Sequence, residues 1–521
     1  MTDKEPGIRT DWTLFTATVL VVLLACVPTV LLKDQAAGFI TLAYEAITER
    51  FGVLYLAYAV GTMVFLAFLA LSRYGAVKLG NADDKIEFTT PTWVAMLFCA
   101  GIGAGLLYWA VIEWAYYIAA PPFGLEPRSP EAVEWSASYG IFHWGLTAWT
   151  FYCLPTLAIA YPYYVRRIPY LRLSTACTAY LPGGVNSNRG RLIDFFYMLN
   201  LIGGTGTSLG LSTPMIAAAF ARLTGLEHDF VLEVIVVLFC IAVFATSAYI
   251  GLQSGFRRLA DLNMIVAFAL LFFVLAAGPT IFILKMGMNS VGLVLQNLFR
   301  MNTWTDPVAN TGFVENWTVF YWAWWVAYGP FVGIFVTRIS RGRTIRQVIG
   351  GMLAFGSLGA AIFFIIFGNY ALHLELSGIL SVTSLIKEQG EATAIATVFT
   401  TLPMGQLALA AFFVVAVIFL ATTYDSASYT LASVSTRRLE AGQDPARWSR
   451  VFWAFALGVV PITLMFIDGG LRVILSATIV VSLPLLVIGV LMCRSLLKML
   501  REDAGPVVTE VHPPKRAEPV E

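Results

Sequence analysis

Residues 320–330 read FYWAWWVAYGP, in which three Trp, two Tyr and a Phe run into a Gly-Pro pair. Rings at this density can fill a core, mark the water interface of a membrane, or turn their π faces toward a bound group. At about 100° per residue, Trp324, Tyr328 and Phe331 fall on one stripe of a helix and Tyr321 and Trp325 on another. A second set, Trp144, Trp149 and Tyr152, shares one broad helical face, whereas Trp322 reads as packing. A different chemistry is offered by FLATTYDS at 419–426, where Thr422 and Thr423 present adjacent hydroxyls. Sodium is a hard cation that binds hydroxyl and carbonyl oxygens around an unwound helix. A helical Thr also bonds readily to its own i−4 carbonyl.

The elements that must carry these residues follow from composition. The chain has 521 residues, 58% hydrophobic and only 12% charged, against roughly 25% charged in a soluble globular protein. Apolar runs of about 20 residues recur throughout, each long enough to cross about 30 Å of hydrocarbon. Twelve spans are predicted, at 12–32, 53–72, 91–119, 138–165, 192–221, 230–250, 259–284, 316–337, 345–370, 404–433, 448–467 and 471–498. The first run has mixed-charge flanks and no small-residue cleavage site, so it is expected to be a retained span rather than a signal peptide. With both termini cytoplasmic, the clusters Arg166/Arg167/Arg172, Arg338/Arg341/Arg343/Arg346 and Arg437/Arg438/Arg447/Arg450 all fall inside. The outer loops carry Glu126, Glu131, Glu134, Glu227, Asp229 and Glu233 instead. That asymmetry is the positive-inside pattern of a multi-pass plasma (inner) membrane protein, and nothing in it suggests nucleic acid.

Two spans carry breakers. Span 3 contains Gly101, Gly103 and Gly105, and span 8 contains Gly329-Pro330 and Gly333. Backbone opened at that depth must line a protein- or water-filled cavity, because lipid cannot satisfy it. Spans 3–7 and 8–12 are two sets of five, each starting at such a site, and an odd count inverts the second set. The expectation is an all-α membrane protein with two inverted repeats, the sequence pattern of a secondary transporter. Its predicted parts are an N-tail (1–11), two accessory helices (12–90), repeat 1 (91–286), an amphipathic interfacial helix and outer loop (287–315), repeat 2 (316–500) and a C-tail (501–521). Small residues can instead serve close helix packing.

Other polar groups within the spans carry alternatives. Glu113, Asp194 and Asp425 could handle protons or ions, although Asp194 beside Arg191 reads as an interfacial ion pair. His143 reads as a hydrogen-bonded packing residue. The six Cys lack paired spacing, so neither a disulfide framework nor another metal site is expected. No His-Glu-x-x-His pattern or Ser/His/Asp set argues for an enzyme.

The segments TVFYWAWWVAYGPFVGIFVTRISRGRTIR (318–346), FHWGLTAWTFY (142–152), GTSLGLSTP (206–214) and PPFGLEP (121–127) resemble the betaine/carnitine/choline transporter family. The resemblance runs through nearly the whole chain. It implies a LeuT-like fold with 12 transmembrane helices, a homotrimer in lipid, and substrates with a quaternary ammonium or sulfonium head. Such a head cannot donate hydrogen bonds, so aromatic faces hold it, each worth roughly 0.5–2 kcal/mol.

By the same resemblance, Trp144, Trp149, Tyr152 and Trp325 form a central box, with Trp324 beside it. Tyr116 matches a substrate-contacting tyrosine of the carnitine antiporters, while Tyr328 and Phe331 line a cytoplasmic exit. Thr422 and Thr423, with Phe419 and backbone near Cys99 and Ile102, match a sodium site. Asn263 stands where the ion-independent antiporters carry an Arg. Thr205 matches a second sodium site, where Leu201 replaces the other threonine. Three readings follow: a sodium-coupled importer of a zwitterion such as glycine betaine or carnitine, an ion-independent carnitine-type antiporter or choline importer, and a membrane enzyme. Sodium is the only ion implied and no cofactor is expected. The short, Pro-interrupted C-terminal tail, with Lys515 and Arg516 offset by acids, predicts no strong osmotic activation.

Overall fold

A computed structural model describes residues 9–504 except 82, 102, 251–252, 438, 440–443 and 467–469. The C-tail reading, including Lys515 and Arg516, therefore lies outside the described residues, as does Ile102. Among the described residues there is no strand, only two isolated bridges that tie loops together.

The helices in chain order are α1 (Trp12–Leu31), α2 (Lys33–Leu71), α3 (Thr90–Gly101), α4 (Ala104–Ala119), α5 (Pro130–Trp144) and α6 (Leu146–Tyr164). Next come α7 (Asn188–Thr224), α8 (Phe230–Ile250), α9 (Gln253–Ala277), α10 (Thr280–Thr303) and α11 (Phe320–Ile339). After these follow α12 (Ile345–Gly351), α13 (Ser357–Phe363), α14 (Asn369–Leu376), α15 (Val382–Thr400), α16 (Gly405–Val434), α17 (Arg447–Phe466) and α18 (Gly470–Asp503). Each apolar run read from the sequence falls on helix. Among the described residues, seven helices are long and apolar enough to cross a membrane by length and composition. The chain is an all-α membrane protein.

Three boundaries differ from the sequence reading. The expected loop after span 1 is helix, because α2 runs from Lys33 without interruption. Span 7 ends at Ala277, where Gly278 and Pro279 stop α9 and Thr280 starts α10. Pro279 has no N–H to donate and disfavours helix in the residue before it. The amphipathic helix therefore begins seven residues before the predicted 287, presenting Ile281, Leu284, Met288, Leu295 and Phe299 outward and burying Ile283, Ser290 and Val294.

The third difference concerns the breaks. Span 3 divides as expected, into α3 and α4, with Gly103 in extended backbone between them. Span 8 does not divide at Gly329-Pro330; α11 passes through Pro330 as continuous helix. Its irregularity is a π-helical turn at Val314–Val319, ahead of the aromatic run. The two glycines serve approach instead. A Cβ on Gly329 would stand 2.6 Å from the Phe151 carbonyl oxygen, and one on Gly333 would stand 2.9 Å from the Thr156 amide nitrogen. Small residues four apart thus let α11 lie against the backbone of α6, as in small-xxx-small packing.

The second interruption lies in span 4, which reads as continuous from sequence. Gly145 separates α5 from α6 with φ −92° and ψ −138°, and a Cβ there would meet the Ile141 carbonyl oxygen at 2.4 Å.

The close approach of α11 and α6 carries a prediction. Gly329→Val forces a branched side chain into the Phe151 backbone and should destabilise the fold by about 1–3 kcal/mol, as overpacking does. Gly350→Ala, where nothing lies within 4 Å of an added Cβ, should leave the thermal midpoint in detergent unchanged. Equal midpoints for the two variants would refute the packing role.

Candidate functional site

The run 320–327 is wholly buried, so it is not a lipid-facing interface belt. α11 packs between α6, α7 and α18, and its rings meet those of α5 and α6. Trp324 and Trp325 stack with centroids 5.1 Å apart and planes 9° from parallel. Trp144 stands edge-on to Trp325 at 4.7 Å, and Tyr152 stands edge-on to it at 5.8 Å. Each indole N–H is turned to a protein acceptor. Trp325 Nε1 donates to the His143 carbonyl at 2.8 Å, Trp324 Nε1 to the Gly204 carbonyl at 3.3 Å, and Trp144 Nε1 to Glu113 Oε2 at 3.2 Å. The His143 carbonyl lies two residues before the Gly145 break, where helical partners run out.

Trp144, Tyr152, Trp324 and Trp325 line a cavity of about 1110 Å³. It runs from these rings past Tyr328 and Phe331 to Arg338, Arg341 and Arg450. Arg341 is 46% exposed and pairs with Asp84, so this basic end is the mouth. Beyond the opposite end, Trp109, Tyr117 and Trp317 form a packed layer with centroids 5.0 and 5.7 Å from Trp317.

One expected box member and the expected substrate-contacting tyrosine are placed away from the cavity. Trp149 stands behind Tyr152, edge-on at 5.4 Å, and lies so close on Gly356 that a Cβ there would meet its ring at 2.2 Å. It supports the wall and is not part of it. Tyr116 is about 16 Å along α4 from Gly105 at 1.5 Å per residue. It donates to Glu391 Oε1 at 2.6 Å and packs on Trp109 and Trp317, away from the cavity. Trp322 is fully buried against Phe142 and Phe151.

The hydroxyl pair does reach the cavity. Thr422, Thr423 and Phe419 line it together with Gly103 and Gly105 from the α3–α4 break. A Cβ on Gly103 would stand 3.8 Å from Thr423 Oγ1, and one on Gly105 would stand 3.4 Å from the Trp324 ring. Thr422 and Thr423 donate to the Phe419 carbonyl at 3.0 and 2.8 Å. Those bonds use the hydroxyl protons and leave oxygen lone pairs facing out. The Cys99 side chain and all of Ile102 lie outside the described residues, so their part is undescribed; Gly101 is the last residue of α3. Thr205 is buried on α7 beside Tyr328 and does not line the cavity. Asn263 lines the cavity, 1% exposed, with neither side-chain amide atom hydrogen-bonded. A buried amide left unpaired is costly and marks a place where a ligand can repay it.

The intramembrane acids resolve differently from the sequence reading. Asp194 does not pair with Arg191. It accepts from Ser174 N and Oγ at 3.0 and 2.8 Å, with Arg172 at 3.8 Å. Arg191 pairs with Asp11 instead, which stands just ahead of α1, a helix packed on α7. Asp425 lies at the mouth with Arg450, 3.6 Å away. Glu113 is buried directly behind Trp144, and its cluster had no signal in sequence beyond an acid at membrane depth.

Residues 13–505 match the family model described as BCCT, betaine/carnitine/choline family transporter. The transporter YeaV of Escherichia coli (strain K12) is 37% identical over 441 residues, 85% of this chain and 91% of that protein. A carnitine transporter of Acinetobacter baumannii is 35% identical over 510 residues, 97% of this chain and 92% of that protein. A solved substrate-bound outward-open state of a Na+-coupled sialic acid symporter aligns at 16% identity with a TM-score of 0.35, covering 85% of this chain and 86% of that one.

Proposed function

The chain belongs to the betaine/carnitine/choline transporter family, a family of transporters and not enzymes, and from that premise we propose that it imports a zwitterion with a quaternary-ammonium or sulfonium head, coupled to sodium. The observation that carries this reading is the wall of Trp144, Tyr152, Trp324 and Trp325 on one cavity, with every indole N–H already paired. Such a wall offers π faces, and its indole donors are already used. That suits an onium head, which attracts π electrons and makes no hydrogen bonds. Glycine betaine and carnitine are the first candidates. The carnitine relative adds weight to the second.

Sodium coupling rests on Thr422 and Thr423 beside the α3–α4 break and on Asn263, which supplies no fixed positive charge. Transport proceeds by alternating access of two inverted repeats, and the cavity's basic mouth is the inward exit past Tyr328 and Phe331. The protein works as a homotrimer in the plasma membrane with both termini cytoplasmic, and the outward apolar face of α10 is available for subunit contact.

Uptake of labelled glycine betaine and carnitine into proteoliposomes tests the reading. An inward sodium gradient should drive accumulation above the outside concentration, and its removal should abolish accumulation. Rapid counterflow in sodium-free buffer would replace the proposal with ion-independent exchange. Absence of binding by either compound would remove the onium assignment itself.

A further inference from the structure

Behind the aromatic wall lies a buried acid that the transport reading leaves unused. Glu113 on α4 is 1% exposed. Its Oε1 accepts from the Tyr117 hydroxyl at 2.5 Å, with His143 Nδ1 at 3.4 Å. Its Oε2 accepts from the Tyr321 hydroxyl at 2.7 Å and from Trp144 Nε1 at 3.2 Å. His143 Nδ1 also lies 3.0 Å from the Tyr117 hydroxyl, and its Nε2 lies 3.2 Å from Thr318 Oγ1. With Tyr117 donating to Glu113, the neutral Nδ1–H tautomer satisfies every partner of His143. Donors thus converge on both carboxyl oxygens, which suits an ionised, acceptor-only group. No Lys or Arg among the described residues pairs with it; the neutral His143 ring, Nδ1 at 3.4 Å, is its titratable neighbour.

We propose that Glu113 is the positioning residue and fixed counter-charge of the onium site, acting through Trp144 and Tyr321. The inference rests on the onium reading above and adds to it the group that makes the site select a cation over a neutral head. Two physical effects combine. First, an N–H or O–H donating to a carboxylate pushes electron density into its ring, and hydrogen bonds in a low-dielectric interior polarise one another. Trp144 is a wall ring polarised in this way. Tyr321, polarised likewise, stacks on Trp325 at 5.7 Å with planes 26° apart. Second, the carboxylate's own charge acts at short range through a medium that screens it poorly.

The same bonds fix geometry. Glu113 joins α4 to Trp144 on α5 and Tyr321 on α11, and Trp325 is tied to the His143 carbonyl. Helices α4, α5 and α11, which carry three of the four wall rings between them, are thereby tied together.

Binding by the full-length protein in nanodiscs tests this, with glycine betaine and carnitine as onium probes. The control is 3,3-dimethylbutanoate, in which carbon replaces the charged nitrogen of glycine betaine. Glu113→Gln keeps the size and removes the charge, and it should weaken the onium probes roughly tenfold while shifting the control no more than about twofold. Glu113→Asp keeps the charge and should preserve the discrimination between charged and neutral heads. A purely structural role predicts the reverse order, since Gln is the closer fit. Equal losses for probe and control in Glu113→Gln would overturn the proposal, as would lost discrimination in Glu113→Asp. The second result decides even if Glu113→Gln does not fold. A wild-type protein that binds neither onium probe would fail the transport reading itself, a separate outcome from either.

Discussion

Trp325→Leu is expected to raise the apparent constant for the onium substrate roughly tenfold or more, a loss of about 1.4 kcal/mol. Leu suits a membrane helix, and α11 is held along its length by α6, α7 and α18, so the variant should insert and fold. It loses two things at the cavity: the π face that stacks on Trp324 and meets Trp144 edge-on, and the N–H bond to the His143 carbonyl. Trp325→Phe separates them, because it keeps a π face and removes only the bond; its loss should be the smaller. Trp322→Leu is the control. Trp322 is fully buried outside the cavity, so its truncation leaves a void and should lower the thermal midpoint with little change in substrate constant. Equal effects of Trp325→Leu and Trp322→Leu on the substrate constant would refute the assignment of the box.

Sodium coupling should respond to residues that leave the rings untouched. Thr422→Ala with Thr423→Ala removes two hydroxyl oxygens beside the α3–α4 break. The sodium concentration for half-maximal uptake should then rise steeply, while substrate affinity at saturating sodium changes modestly. Asn263→Arg is the more telling change. The Asn263 amide is buried, unpaired and on the cavity wall, so a guanidinium there can project toward the hydroxyl pair. Uptake by this variant should lose both sodium dependence and concentrative power, with substrate exchange retained. Wild-type uptake indifferent to sodium would refute the coupling, as would an Asn263→Arg protein that still concentrates substrate on a sodium gradient. Sodium titration of the wild type is the first measurement, since it calibrates both variants.

Much of the molecule was legible without coordinates because its causes are local. Hydrocarbon demands about 20 apolar residues per crossing, whatever the neighbours, so the predicted runs fall on helix. The Gly cluster of span 3 reads correctly as a break for the same reason, since three glycines in five residues weaken any helix. The aromatic run and the FLATTYDS hydroxyls fall on α11 and α16, two helices that line the cavity. The remaining decisions belong to packing between helices, which no window along the chain records. Gly329-Pro330 carries the same residue types as a break, yet the nearness of the α6 backbone turns it into a contact surface. Gly145 is a lone glycine, yet α5 ends before it and α6 starts after it, with its backbone in a non-helical conformation. Trp149 and Trp144 are alike in sequence, but only Trp144 faces the cavity; Trp149 is taken up by Gly356. Glu113 is the sharpest case. Sequence by itself determined that an acid sits at membrane depth, where an unpaired charge is expensive. Only the tertiary structure decided that its partners are the hydroxyls of Tyr117 and Tyr321 and the indole of Trp144, because a hydrogen bond needs its atoms within about 3 Å and those donors lie up to 208 residues from the acid along the chain.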